Sequence, residues 1–318
     1  MIRPKPRSSK LIITGFALAL LLGGSFAFLF LTGAIGRTTQ TSIETSSTGP
    51  QTMFSRVVLA RFYQQQDWTV PGESSSQVAD AVASLRPTYV SGVLRVSSNT
   101  SLTQNMISDF NTIRSSVLGR SPMAKFDFVL NAQDYTSASQ IQSKMQTINS
   151  QIHVDIWFFD YYEEGYVAHP TVMEAAVGYA HSQGQLVGGN LDSGLDLSTT
   201  SPEFPSGSDF VSVPDSNFVV SPQRLQQVRS EAPTVPILVH TNNNPQNGPT
   251  SESCVYINGF SEQQRVAYET QMAQNQTRFG YFYMYNVFFP LCPVGTSYNS
   301  LTDGSMLQIV ENLLNTYG

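Results

Sequence analysis

Between Arg56 and Phe289 the chain repeats one local alternation: a short apolar run, a polar connection, then a stretch with apolar residues at helical spacing. Short apolar runs bounded by turn residues read as buried strands, and apolar residues three and four apart mark helices. The runs are 56–63, 89–96, 126–131, the start of 155–165, 185–190, 209–213, 235–240 and 281–289. Helical spacing follows over 76–85, 102–118, 139–148, 171–183, 222–230, 262–278 and 306–314, with Pro170 opening and Gly184 closing the fourth of these. After the fifth run there is Ser, Thr, Pro and Gly but no helical period. Eight strands in about 260 residues predict an α/β chain folded as a single (β/α)8 TIM-type barrel, its fifth helix replaced by a loop. An open doubly wound sheet would usually carry a Gly-rich phosphate turn after its first strand, and the sequence there is Gln64-Gln65-Gln66-Asp67-Trp68.

Ahead of this domain, Arg3, Lys5, Arg7 and Lys10 precede Leu11 to Ile35, which holds no charge. That length suits a bilayer span better than a cleaved leader, and the basic flank should stay cytoplasmic. The expected order is a basic cytoplasmic segment (1–10), a transmembrane signal-anchor helix (11–35), a Ser/Thr-rich tether (36–50) and the barrel domain (51–318). The competing reading is cleavage near Ala27 or Ala34 and release as a secreted protein. In either case the barrel domain is extracytoplasmic.

Residues 1–50 contain five of the 17 Lys and Arg and one of the 23 Asp and Glu, which leaves 12 against 22 and a net charge of −10 beyond the tether. An acidic domain without a basic run is a poor partner for nucleic acid and suits neutral or cationic ligands. Cys254 and Cys292 both fall in the exported part, in the connections after strands seven and eight, which are neighbours in a closed barrel. A disulfide between them would contribute about 4 kcal/mol by the loop-entropy relation.

In a (β/α)8 barrel the working groups stand at the carboxyl ends of the strands. That rule selects Arg61, Tyr63, Arg95, Asn131, Asp134, Asp160, Glu163, Glu164, Asn190, Asp192, Asp215, His240, Asn242, Asn243 and Asn286, with Tyr285 the eighth-strand tyrosine nearest the mouth, and it leaves Lys125 and His153 on the opposite face. None of the four lysines lies at a strand end, which removes a Schiff-base aldolase. Only His240 among the histidines does, too few for a metal-dependent hydrolase, and no Gly-x-Ser-x-Gly elbow occurs. No metal site or cofactor is expected. Carboxylate chemistry remains. Glycoside hydrolysis uses one acid on the leaving oxygen and a second carboxylate as nucleophile or base. Asp160 and Glu163, with Asp192 or Asp215 across the mouth, are the candidate catalytic groups. Arg61, Tyr63, Arg95, Asn131, Asn190, His240, Asn242, Tyr285 and Asn286 are the candidate substrate-binding groups. The alternatives are an ion pair of Asp160 with Arg61 or Arg95, and solvated loop acids at Glu163 and Glu164. The seventh strand ends in His240-Thr241-Asn242, without a carboxylate.

Phe158-Phe159-Asp160-Tyr161-Tyr162-Glu163, reached from Val154-Asp155, resembles the fourth-strand motif of glycoside-hydrolase-like barrels of the spherulin-4-like and endo-α-1,4-polygalactosaminidase-like families. Gly207 to Val213 falls where such barrels place their sixth strand. The resemblance implies a functional acid at Asp160 and a polysaccharide or oligosaccharide as substrate. A non-catalytic barrel that binds glycan or protein through the same mouth is the second reading, and a metal-assisted lyase or isomerase using Asp160, Asp192 and Asn131 the third.

Overall fold

The computed structural model describes residues 53–60, 75–191, 203–215, 222–231, 233–241, 274, 282–286 and 304–317. The strands are β1 (Val57–Leu59), β2 (Tyr89–Ser91), β3 (Arg95–Val96), β4 (Lys125–Asn131), β5 (Ile156–Asp160), β6 (Leu186–Gly189), β7 (Val211–Asp215), β8 (Ile237–Thr241) and β9 (Phe282–Asn286). The helices are α1 (Ser75–Ser84), α2 (Gln104–Arg120), α3 (Ala138–Asn149), α4 (Tyr162–Ala168), α5 (Pro170–Ser182), α6 (Pro222–Glu231) and α7 (Gly304–Tyr317). All ladders are parallel, in the order β6-β5-β4-β2-β1-β9-β8-β7, and β3 pairs with β4 beyond β2. A parallel bridge from Asn190 to Ser212 joins the two ends of that order, with Leu191 N donating to Ser212 O at 2.9 Å. The described strands therefore form a ring of parallel strands with helices between them.

Two elements differ from the sequence reading. The second strand is broken into β2 and β3. Residues 162–168, expected as a loop carrying Glu163 and Glu164, form the short helix α4. The expected membrane span, the tether, both cysteines and the helix at 262–278 lie outside the described residues or nearly so. The connection after β6 is described only over 190–191 and 203–210, and the latter is turn and irregular backbone. Among the described residues no helix is long and apolar enough to cross a membrane.

Strand alternation sorts the core into two layers. Val57, Leu59, Tyr89, Val129, Ile156, Phe158, Phe210, Leu238 and Met284 form the inner cluster. Val58, Val90, Phe126, Phe128, Trp157, Phe159, Val187 and Val239 face outward to Val82, Phe110, Ile113, Met145 and Ala176 on the helices. The caps follow local chemistry: Thr103 accepts from Met106 N, and Ser137 from Gln140 N. Arg56 ties the first and last described elements together, donating from Nη2 to Leu85 O at 2.6 Å and from Nη1 to Leu314 O at 2.9 Å.

The inner cluster explains Gly188 of β6. Phe210 packs against Phe54, Tyr89 and Phe158 at 5.3, 5.9 and 6.1 Å between ring centroids. A Cβ at Gly188 would stand 2.4 Å from that ring. With three aromatic neighbours around it, Phe210 has no room to retreat. Gly188→Ala should destabilise the fold by about 1–3 kcal/mol, the usual cost of overpacking. Adding Phe210→Leu should recover part of the loss. Denaturant unfolding of the two variants checks both.

Candidate active site

The described carboxyl ends of the strands bring together three of the expected residues. Asp160 closes β5, in register with Asn131 at the end of β4. Arg95 Nη2 lies 2.9 Å from Asp160 Oδ2, and Asn190 Nδ2 donates to Asp160 Oδ1 at 3.0 Å. The ion pair weighed as an alternative for Asp160 is therefore present, with Arg95 as the partner. The side chains remain 18% and 29% exposed, so the pair sits at the rim rather than in the core. Asn131 makes a local contact instead, accepting from Gln133 N at 3.0 Å and capping the 3-10 turn Ala132–Asp134.

Just past Asp160 the backbone enters the left-handed region: Tyr161 has φ 54 and ψ 43, and the residue is 43% exposed. A non-glycine residue there is uncommon and strained, and such residues collect at functional sites. The turn aims Tyr162 inward. Its ring stacks on Phe159 at 5.5 Å, its N donates to Asn190 O, and its hydroxyl pairs with Ser208 Oγ at 2.8 Å. Burial pushes the Tyr162 phenol well above the usual range. Glu163 is consequently not a solvated loop acid. It lies in the first turn of α4, 8% exposed, and Oε1 accepts from Glu203 N at 3.2 Å.

Asp215, His240, Tyr285 and Asn286 are placed by backbone register alone: Asp215 with Thr241, His240 with Pro214, Tyr285 with Val58 and Asn286 with Leu59. Arg61, Tyr63, Asp192, Asn242, Cys254 and Cys292 lie outside the described residues. Among the described residues, no group of three or more His, Cys, Asp and Glu side chains could hold a metal ion.

At the opposite, amino end of the strands, Asp155 gathers Arg114 together with Lys125 and His153, the two residues that strand position had set aside. Its Oδ1 lies 3.5 Å from Lys125 Nζ and 3.2 Å from His153 Nε2, and its Oδ2 lies 3.5 Å from Arg114 and accepts from Phe126 N at 3.1 Å. This cluster pins the start of β5 to β4.

The carboxylate that strand-end reasoning passed over is Asp127. It lies mid-strand in β4, fully buried, and its register partner is Ile156 of the inner cluster. Tyr89 Oη donates to Oδ2 at 2.8 Å, Ser91 Oγ to Oδ2 at 2.5 Å, and Gly92 N to Oδ1 at 2.8 Å. Burial pushes its carboxyl up to about 6, and the three donors hold it back from rising further. The signal was available in Phe126-Asp127-Phe128-Val129, since a lone acid inside an apolar strand must find buried donors.

No protein-family model matches the sequence, and no curated protein is significantly similar to it. Solved structures with a similar chain path include a putative alpha-L-fucosidase from Bacteroides thetaiotaomicron, 9% identical, covering 88% of this chain and 99% of that one at a TM-score of 0.48. An octameric ribulose-1,5-bisphosphate carboxylase/oxygenase from Pyrococcus horikoshii is 8% identical at a TM-score of 0.47, covering 83% of this chain, which spans 60% of that one. A putative fructose-1,6-biphosphate aldolase from Coccidioides immitis is 15% identical at 0.38, with coverage of 83% and 91%. None of these reaches a TM-score of 0.5.

The folded-state carboxyl of Asp127 holds its proton more tightly than an unfolded aspartate. Its contribution to stability is therefore full below about pH 4 and is lost as pH rises through 6. The loss should be roughly 3 kcal/mol between these limits. Asp127→Asn keeps the volume and removes the titration, so the difference in unfolding free energy between native protein and variant should change across this window and level off above it. Denaturant unfolding at pH 4 to 7 measures it.

Proposed function

We propose that the chain is a membrane-tethered, extracytoplasmic glycoside-hydrolase-like (β/α)8 barrel of the TIM type, acting on a cell-surface or extracellular polysaccharide. The observation that carries this reading is Asp160, a rim carboxylate at the carboxyl end of β5, held by Arg95 and Asn190 beside an exposed, strained Tyr161. Parallel strands alternating with helices in a ring are what a TIM-type barrel requires, and function in that fold gathers at this end. The apolar span 11–35 and the tether 36–50 supply the membrane attachment, and Cys254 with Cys292 the disulfide.

The arrangement suggests a division of labour. Both Asp160 oxygens accept from fixed donors, so the group is oriented as a lone-pair donor: nucleophile, base or acceptor for a sugar hydroxyl. Arg95 and Asn190 orient the Asp160 carboxylate, whose negative charge would face the oxocarbenium-like centre that forms as a glycosidic bond opens. Glu163, in the first turn of α4, is the described candidate for the acid, with Asp192 and Asp215 as the others. Tyr161 offers an aromatic face to a pyranose ring.

A second reading, a barrel that binds glycan without cleaving it, is favoured by one feature. The ring beneath Asp160 is filled by Phe158, Val129 and Leu59, and both Asp160 oxygens are already occupied. The two readings separate on product. With a panel of neutral and amino-sugar polymers, the protein should release oligosaccharide, and Asp160→Asn should lower turnover by roughly 10²-fold or more with its unfolding transition unchanged. Saturable binding without product would select the second reading. Undiminished turnover in Asp160→Asn would remove that residue from the chemistry.

A further inference from the structure

The break between β2 and β3 has a measurable geometry. From Val90 to Arg95 this strand advances five residues while β4 advances three, from Phe126 to Val129. Two extra residues are accommodated at Gly92, whose φ of 75 favours glycine and whose added Cβ would stand 3.1 Å from Ala60 O. The ladder resumes at once on either side: Ala60 N donates to Ser91 O at 2.8 Å, and Val129 N to Leu94 O at 2.8 Å. Without the bulge Arg95 would stand opposite Asn131, level with Asp160. With it, Arg95 stands opposite Val129, lower in the ring by about 7 Å at the usual rise of a strand. Its guanidinium then meets Asp160 from below.

One side chain holds this bulge. Asp127 accepts from Ser91 immediately before it, from Gly92 within it, and from Tyr89 two residues earlier. A bulge leaves backbone groups unpaired, and Gly92 N–H finds its acceptor in the Asp127 carboxylate. We infer that Asp127 is a positioning residue for the mouth: by pinning the bulge at Gly92 it sets the height of Arg95, and through Arg95 the orientation of Asp160 and Asn190. The bulge thus links a carboxylate deep inside the ring to the rim without direct contact between the two acids. The inference concerns the same mouth as the glycan reading but does not require it, because its test uses no ligand.

The test pairs a double-mutant cycle with a spectroscopic probe on the full-length protein. Asp127→Leu fills the space and removes every acceptor. Asp127→Asn keeps an oxygen for Gly92 N and an amide that can donate to the Tyr89 and Ser91 oxygens. Arg95→Ala should raise the unfolding constant by a factor at least about threefold smaller in the Asp127→Leu background than in the native one, because coupled sites are not additive. In Asp127→Asn the native factor should return. The side-chain amide resonance of Asn190, which reports the bond to Asp160 Oδ1, should move in Asp127→Leu and return in Asp127→Asn. It should stay in place in Ile148→Val, a loss of packing confined to the outer layer.

If Asp127→Leu does not fold, Ser91→Ala takes its place. That substitution removes the shortest of the three donors, and the Asn190 resonance should still move, by less. An Arg95→Ala factor that is the same in all backgrounds overturns the inference, as does an Asn190 resonance unmoved by Ser91→Ala. Neither result bears on glycan turnover, so the failure of one proposal is distinguishable from that of the other.

Discussion

A closed ring of parallel strands gives each strand two faces with opposite requirements, and the rest of this structure follows from meeting both. The outer face needs continuous apolar surface for the helices, which Phe126, Phe128, Trp157 and Phe159 supply. The inner face has a fixed, small volume, so each large residue must be matched by a small one opposite. Phe210 and Gly188 are such a pair. The same limit makes a polar group inside the ring expensive unless it is fully bonded. Asp127 meets that condition with three donors.

Three aspartates mark three levels of this ring and illustrate how position sets chemistry. Asp155, at the amino end, lies among Arg114, Lys125 and His153 and takes a backbone N–H from β4. That is a clamp between neighbouring strands. Asp127, in the interior, has only neutral donors among its bonds, and burial makes its ionisation costly. Asp160, at the carboxyl end, has a guanidinium and an amide on its two oxygens and remains partly open to solvent. Of the three, Asp160 combines fixed orientation with access.

Much of the fold was legible from periodicity. Runs such as Phe126–Asn131 and 185–190 fall on described strands, and Pro170 and Gly184 bracket α5, with Gly184 at φ 71. These are local signals, since a proline fixes the first helical turn and a glycine accepts the left-handed turn after the last. The helix at 162–168 was not legible. Its two acids and its glycine read as loop, and what holds it is packing: Tyr162 against Phe159, and Gly165 so close to Ala132 that an added Cβ would fall 2.4 Å from the alanine Cβ. The rim position of Asp160 was legible because it ends an apolar run. Its partner was not, because Arg61 and Arg95 both stand at strand ends in the sequence.

The sequence by itself determined the strand and helix alternation and the end of β5 as the place where an acid emerges. Those properties depend on neighbours within a few positions along the chain. Only the tertiary structure decided that Arg95 holds Asp160, that Glu163 is buried in a helix, and that Asp127 is satisfied inside the ring. Each of these depends on register between strands. The two-residue bulge at Gly92 changes that register without altering the inward-outward alternation, so periodicity carries no trace of it.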